Sequence, residues 1–155
     1  MVMRKALLGL LCLLFLVPVA ARADVVPPQP APIHAVIAFA ENFNAGSVEG
    51  LDSVLSKDPG FEWRDGDAPP RDRASFLEGS GKAFAEGRGL RMEFVGEPSI
   101  QILEPGRAVA VAQVSRFSRG EDGQEKPDDQ GVLILSLKLE ADGLWRITSF
   151  GWAAQ

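Results

Sequence analysis

The chain has 155 residues, with sixteen Lys or Arg against twenty-one Asp or Glu, a formal net charge of −5, no tyrosine, one cysteine and one histidine. A net negative protein repels phosphate backbones, which excludes nucleic acid as a partner. One thiol and one imidazole exclude an internal disulfide and a Cys/His metal cluster, so neither a metal nor a cofactor is expected.

Residues 1–23 read as a secretory signal: Arg4 and Lys5 form a positive start, residues 6–17 are apolar, Pro18 breaks the run, and Ala21-Arg22-Ala23 matches an A-x-A cleavage site. The apolar run has twelve residues, whereas a membrane-spanning helix needs roughly 20. The expectation is therefore cleavage before Asp24, a periplasmic or secreted protein, and no membrane attachment afterwards. Cys12 and three of the basic residues leave with the signal, so the mature chain has no thiol and a net charge of −8. Residues 24–32 contain four prolines and read as an extended linker. The remaining 33–155 are long enough for one domain with one core.

Ile33, Val36, Ile37, Ala40 and Phe43 fall at the spacing of one helical face, with Pro32 suited to the first turn and Gly46 to the stop. Ser47 caps a second predicted helix that buries Leu51, Val54 and Leu55, and Asp58-Pro59-Gly60 ends it. Phe61-Glu62-Trp63-Arg64 alternates as a short half-buried strand, and residues 65–70 read as loop. Asp72 caps a third helix in which Phe76, Leu77, Ser80 and Phe84 share a face. Gly79 and Gly81 each weaken that helix by about 1 kcal/mol, which points to close packing there.

Beyond Gly89 the pattern predicts strands at 90–95, 99–103, 107–119, 131–140 and 144–152, separated by Gly, Pro and Asp turns. The acidic run 121–129 lacks the ligand spacing of a calcium loop and reads as a solvated hairpin tip. Leu133, Leu135, Leu137 and Leu139 line one side of their strand and should meet the helices; Val132 and Ile134 make the other side a candidate dimer surface. Helices followed by an antiparallel meander define an α+β domain.

This order of elements resembles the nuclear transport factor 2-like superfamily, in particular its SnoaL-like and ketosteroid isomerase-like branch. The resemblance is carried by Phe43-Asn44-Ala45-Gly46 followed by Gly50-Leu51, by the strand with Trp63, by Arg71-Asp72-Arg73-Ala74-Ser75-Phe76-Leu77, and by the ending Gly143-Leu144-Trp145-Arg146-Ile147. It spans residues 32–152. It implies a cone-shaped, curved antiparallel sheet with three helices on its concave face, a cystatin-like α+β barrel. It also implies a pocket open at one end and homodimers through the sheet.

Ketosteroid isomerase-like chemistry needs a pocket carboxylate as base and acidic donors to hold an oxyanion. This chain has no tyrosine, and Trp63 stands at the position resembling the base. Glu62 and Asp65 are the remaining candidate bases for a lyase, isomerase or hydrolase. The leading expectation is an exported binder of a hydrophobic small molecule, with a mainly apolar cleft of about 300 Å³ or more; a dimeric interaction module is a further alternative. Trp63, Phe39 and Phe94 are candidate wall residues, and Gln113, Ser115 and Ser149 are candidate hydrogen-bonding groups. Trp63 reads equally as core, and Gln113 reads more readily as an internal hydrogen bond to backbone than as a ligand contact. Ser149 and Gly151 stand where relatives often carry histidines, and would widen the pocket if they faced inward.

Overall fold

The computed structural model describes residues 31–88, 91–120 and 122–155. The signal at 1–23 and the linker as far as residue 30 lie outside the described residues. Pro32 opens α1 (Pro32–Asn44) where its missing N–H costs no helical bond. Gly46, with φ +68°, ends that helix in the left-handed region. Ser47 caps α2 (Val48–Val54) by accepting from the Gly50 N–H at 3.0 Å. Asp72 caps α3 (Arg73–Ala85) by accepting from the Ser75 N–H at 2.8 Å, a bond that holds its carboxyl below the usual carboxylate range.

Between α2 and α3 lies β1 (Glu62–Asp65), and after α3 come β2 (Arg91–Phe94), β3 (Ser99–Glu104), β4 (Arg107–Arg119), β5 (Glu125–Leu139) and β6 (Trp145–Ala154). These strands form one curved sheet in the order β1-β6-β5-β4-β2, with β3 also paired to β4. The domain is α+β with its helices on one face of the sheet, as expected from the sequence, but the sheet is mixed rather than antiparallel. β1 runs parallel to β6, because α3 and the whole meander separate the two strands and such a crossover leaves the direction free.

The acidic run forms a solvated hairpin tip, but a shorter one than expected. Residues 122–124 are the exposed turn, closed by the Gly120 N–H bonding to the Gln124 carbonyl at 2.9 Å, while residues 125–130 already pair with β4. This part of β5 overhangs β6, whose pairing begins at Gly131. Pro127 therefore sits on an edge, beside a register shift, where its missing N–H is tolerated.

Ala108, Ala110, Ala112 and Val114 of β4, Leu133, Leu135 and Leu137 of β5, and Ile147, Phe150 and Trp152 of β6 form the buried face of the sheet. Val36, Phe39 and Ala40 of α1 pack on it together with Leu51 and Leu55. Small alanines along β4 let α1 approach the strand closely. Each large apolar side chain buried this way contributes roughly 1.5–3 kcal/mol. The Asn44 side chain then ties the end of α1 to β2, donating to the Met92 carbonyl and accepting from the Met92 N–H, both at 2.8 Å.

Candidate functional site

The third helix does not lie flat on the sheet. α3 packs on α2 and β1, and of its thirteen residues Phe76 alone is buried. Beneath it lies a cavity of about 260 Å³. Its roof is one face of α3, with Ser75, Phe76, Gly79, Ser80, Ala83 and Phe84 recurring at helical spacing. Its floor is Met92, Val114, Arg116 and Leu133, and Phe43, Trp63 and Trp152 complete the apolar wall. A Cβ on Gly79 would meet nothing within 4 Å, so this glycine widens the roof, whereas a Cβ on Gly81 would lie 3.4 Å from Val48 Cγ2. A neighbour stands in contact range at the second glycine and none at the first.

Behind the wall sits an aromatic cluster. Phe39, Phe76 and Phe150 have ring centroids 5.0–6.2 Å apart, and Trp63 meets Phe76 edge-on at 5.3 Å. Gly131 makes room for the indole of Trp152, since a Cβ there would lie 2.7 Å from Trp152 Cζ2.

The polar part of the site is built around Arg116. Its Nε and Nη2 donate to the two oxygens of Asp129 at 2.7 and 2.6 Å, its Nη1 stands 3.7 Å from Asp65 Oδ1, and its guanidinium stacks 4.1 Å from the Trp152 ring centroid. The hydrogen bond to Asp129 holds the Arg116 pKa above its ordinary value, against the effect of burial. The same bond holds the Asp129 carboxyl below the usual range. The Trp152 indole N–H adds a weaker pull on that carboxylate without completing a hydrogen bond. Arg64, Arg71 and Arg88 also line the cavity, and Asp65 is the one carboxylate among the described lining residues. Arg71 is tied to Trp63 by two backbone hydrogen bonds of 2.9 Å, and its guanidinium lies 5.4 Å from the Trp63 ring centroid.

Three solved structures share this fold. A nuclear transport factor 2 (NTF2-like) superfamily protein from Salmonella enterica superposes with a TM-score of 0.68 at 13% identity, over 79% of this chain and 87% of that one. A candidate dehydratase of the NTF2-like family from Streptomyces avermitilis gives 0.66 at 16% identity, over 79% and 91%. An uncharacterized protein with a cystatin-like fold from Caulobacter vibrioides gives 0.63 at 20% identity, over 79% and 85%. This is the nuclear transport factor 2-like fold. No protein-family model and no curated protein matches the sequence.

Within the nuclear transport factor 2-like fold, the residues singled out from the sequence separate into three groups. Trp63 and Asp65 line the cavity. Phe39 is 1% exposed and lies one layer behind the wall, while Phe94 packs half-buried against the core opposite Val114. Gln113, Ser115 and Ser149 do not face the cavity, because the buried stripe of β4 is Ala108 to Val114 at even positions and its odd positions point outward. Ser149 is turned outward by the irregularity beside Ser136 and sits opposite Glu62, and both border a surface groove with Arg107 and Lys138. Ser149 and Gly151 therefore do not widen the pocket, and Glu62 is exposed on the far face of the sheet. Residues 65–70 are not all loop, since Asp65 ends β1.

Sequence reasoning missed Arg116, Asp129, Arg71 and Gly131. No signal along β4 marked Arg116, because both its inward phase and its partner Asp129 emerge only from the β4–β5 register.

Proposed function

We propose that the protein is an exported binder of a compact, mainly apolar small molecule held between α3 and the sheet. The carrying observation is the cavity of about 260 Å³ walled by aromatic and aliphatic side chains. Drug-sized ligands occupy roughly 300–1,000 Å³. The volume falls just short of that range, which favours a molecule of one or two rings. The export half of the reading rests on the signal-like pattern of residues 1–23. Native mass spectrometry of protein isolated from its own host should reveal a retained small molecule on a chain beginning at Asp24. Protein that emerges bare, and that takes up no neutral apolar probe, removes the binding reading; an uncleaved amino terminus removes export.

Asp65 favours a second reading, a lyase or isomerase of the ketosteroid isomerase-like type in which this carboxylate takes a proton from a substrate in the cavity. Its side chain is 56% exposed and stands beside Arg116. If the retained molecule is turned over by the wild type, Asp65→Asn should abolish turnover while sparing binding; undiminished turnover in that variant excludes this role. A homodimer is favoured by Val111 and Ile134, which pair across β4 and β5 on the outer face and are 41% and 47% exposed. Light scattering of Ile134→Lys should report a smaller particle, and an unchanged mass counts against that surface.

A further inference from the structure

The cavity's apolar wall describes one end of its ligand, and the charges around it describe the other. Four arginines, Arg64, Arg71, Arg88 and Arg116, border the cavity against the single carboxylate of Asp65, in a chain whose net charge is −5. Four cations around one hollow give it a local positive charge only where they are not neutralised by neighbouring carboxylates. Two of these arginines are already neutralised. Arg116 is paired with Asp129 and Asp65, and Arg88 with Glu86. Arg64 and Arg71 have no ion-pair partner among the described residues, and both are exposed.

Arg71 is the better placed of the two. Its backbone is bridged to Trp63 by the pair of 2.9 Å hydrogen bonds, and its guanidinium lies over the indole at 5.4 Å. A stacked guanidinium spends its face on the ring and keeps its N–H edge free, which is the geometry that meets a planar carboxylate in a two-point contact. Asp65, the one carboxylate among the described lining residues, is turned toward Arg116 at 3.7 Å.

We propose that the cavity takes a compact aromatic or alicyclic carboxylate, its rings against the wall formed by Trp63, Phe76 and Leu133 and its carboxylate on Arg71. This deepens the small-molecule reading and rests on it. Ligands with the same rings and no charge then bind the wall but lose the head-group contact.

The test is calorimetric titration of the full mature protein with two matched pairs, benzoate with benzamide and naphthoate with naphthamide. The acid of at least one pair should bind about tenfold tighter than its amide, a difference of about 1.4 kcal/mol. Added salt should narrow that gap, because the contact lies near the surface. Arg71→Gln should abolish the preference without weakening the amide. Arg71→Lys, which keeps the charge and loses the fork, should retain part of it. Arg107→Gln, an equal charge change at the opposite end of β4, should leave the preference intact.

Acid and amide binding equally, or a preference that survives Arg71→Gln, overturns the carboxylate assignment while the apolar cavity reading stands. A loss of preference in Arg107→Gln equal to that in Arg71→Gln also overturns it, as an effect of net charge alone. Failure of all four probes to bind the wild type overturns the carboxylate assignment, and the small-molecule reading falls with it only if the protein also emerges bare from its own host.

Discussion

Two arginines at opposite ends of the sheet are held by similar partners and stand in different surroundings. Arg146, beside the turn between β5 and β6, donates to Glu140 at 2.8 Å and to Asp142 at 2.9 Å, and Glu140 accepts from Ser56 at 2.7 Å. Arg116, at the other end, is gripped by Asp129 and stacked on Trp152. Their side chains are equally sheltered, 17% exposed in each case. Arg146, however, borders a hollow of about 530 Å³ lined by His34, Glu49, Asp52, Lys57 and Trp145, and the core behind it, Leu51, Leu55, Leu137 and Ile147, is sealed from solvent. Arg116 borders the smaller cavity under α3, whose wall is Phe43, Trp63, Phe76, Leu133 and Trp152. A paired, half-buried arginine beside a hollow does not by itself mark a site for an apolar ligand. The aromatic lining does, and Arg116 serves as a fixed part of its wall.

The sharpest way to break this comparison is to remove the same kind of side chain at both ends. Leu55→Ala, in the sealed core behind Arg146, should destabilise the protein by about 3 kcal/mol, the usual cost of a buried leucine plus the void it leaves. Met92→Ala, in the cavity floor, should cost about 2 kcal/mol, the low end for a buried methionine, because one side of Met92 faces the cavity. Urea denaturation of both variants gives the two figures. Equal losses would mean that the cavity wall is packed as tightly as that core.

The carboxylate partners sharpen the comparison with pH. The Asp129 carboxyl is held below its ordinary range chiefly by the hydrogen bond from Arg116, and burial opposes this. A carboxyl with a depressed folded-state pKa contributes stability that is complete above the unfolded value of about 3.9 and is lost as pH falls through the lower folded value. Asp129→Asn should therefore cost about 1 kcal/mol at neutral pH, a figure reduced for partial exposure to solvent, and much less in strong acid. Asp142, held low chiefly by Arg146, should show the same sign when replaced by Asn. Denaturation curves at neutral and acid pH decide this, and a loss that persists undiminished in acid would assign Asp129 a packing role.

The fold was legible in the sequence because its signals are local. Pro32, Gly46, Ser47 and Asp72 mark helix ends through their own backbone and side-chain chemistry, and the leucines of β5 alternate in phase with the core. The site was legible only in part. Along β4 the outward Val109 and Val111 are bulkier than the inward Ala108 and Ala110, so alternation alone gave no phase, and Gln113 and Ser115 were assigned to the wrong side. The phase is set by the register with β5, which puts Ala108, Ala110 and Ala112 beside the inward Leu137, Leu135 and Leu133. Ser149 was misassigned because an irregularity in pairing reverses the alternation within β6. Arg116 and Asp129 meet only through the register of two strands, and no spacing along one strand reports a neighbour on the next.

The two glycines of α3 carry the comparison down to a single helix. In a helix interior, alanine is favoured over glycine by about 1 kcal/mol, and that gain is realised only where the added methyl group has room. At Gly79 a Cβ meets nothing within 4 Å, whereas at Gly81 it lies 3.4 Å from Val48 Cγ2. Gly79→Ala should thus raise stability by up to about 1 kcal/mol, and Gly81→Ala by less. Thermal melts compare the two directly. Gly79→Leu extends the same test, because its side chain enters the cavity from the roof: probe affinity should fall while the melting temperature does not. A variant that loses stability and keeps probe affinity would show that the space under Gly79 is not the space the ligand uses.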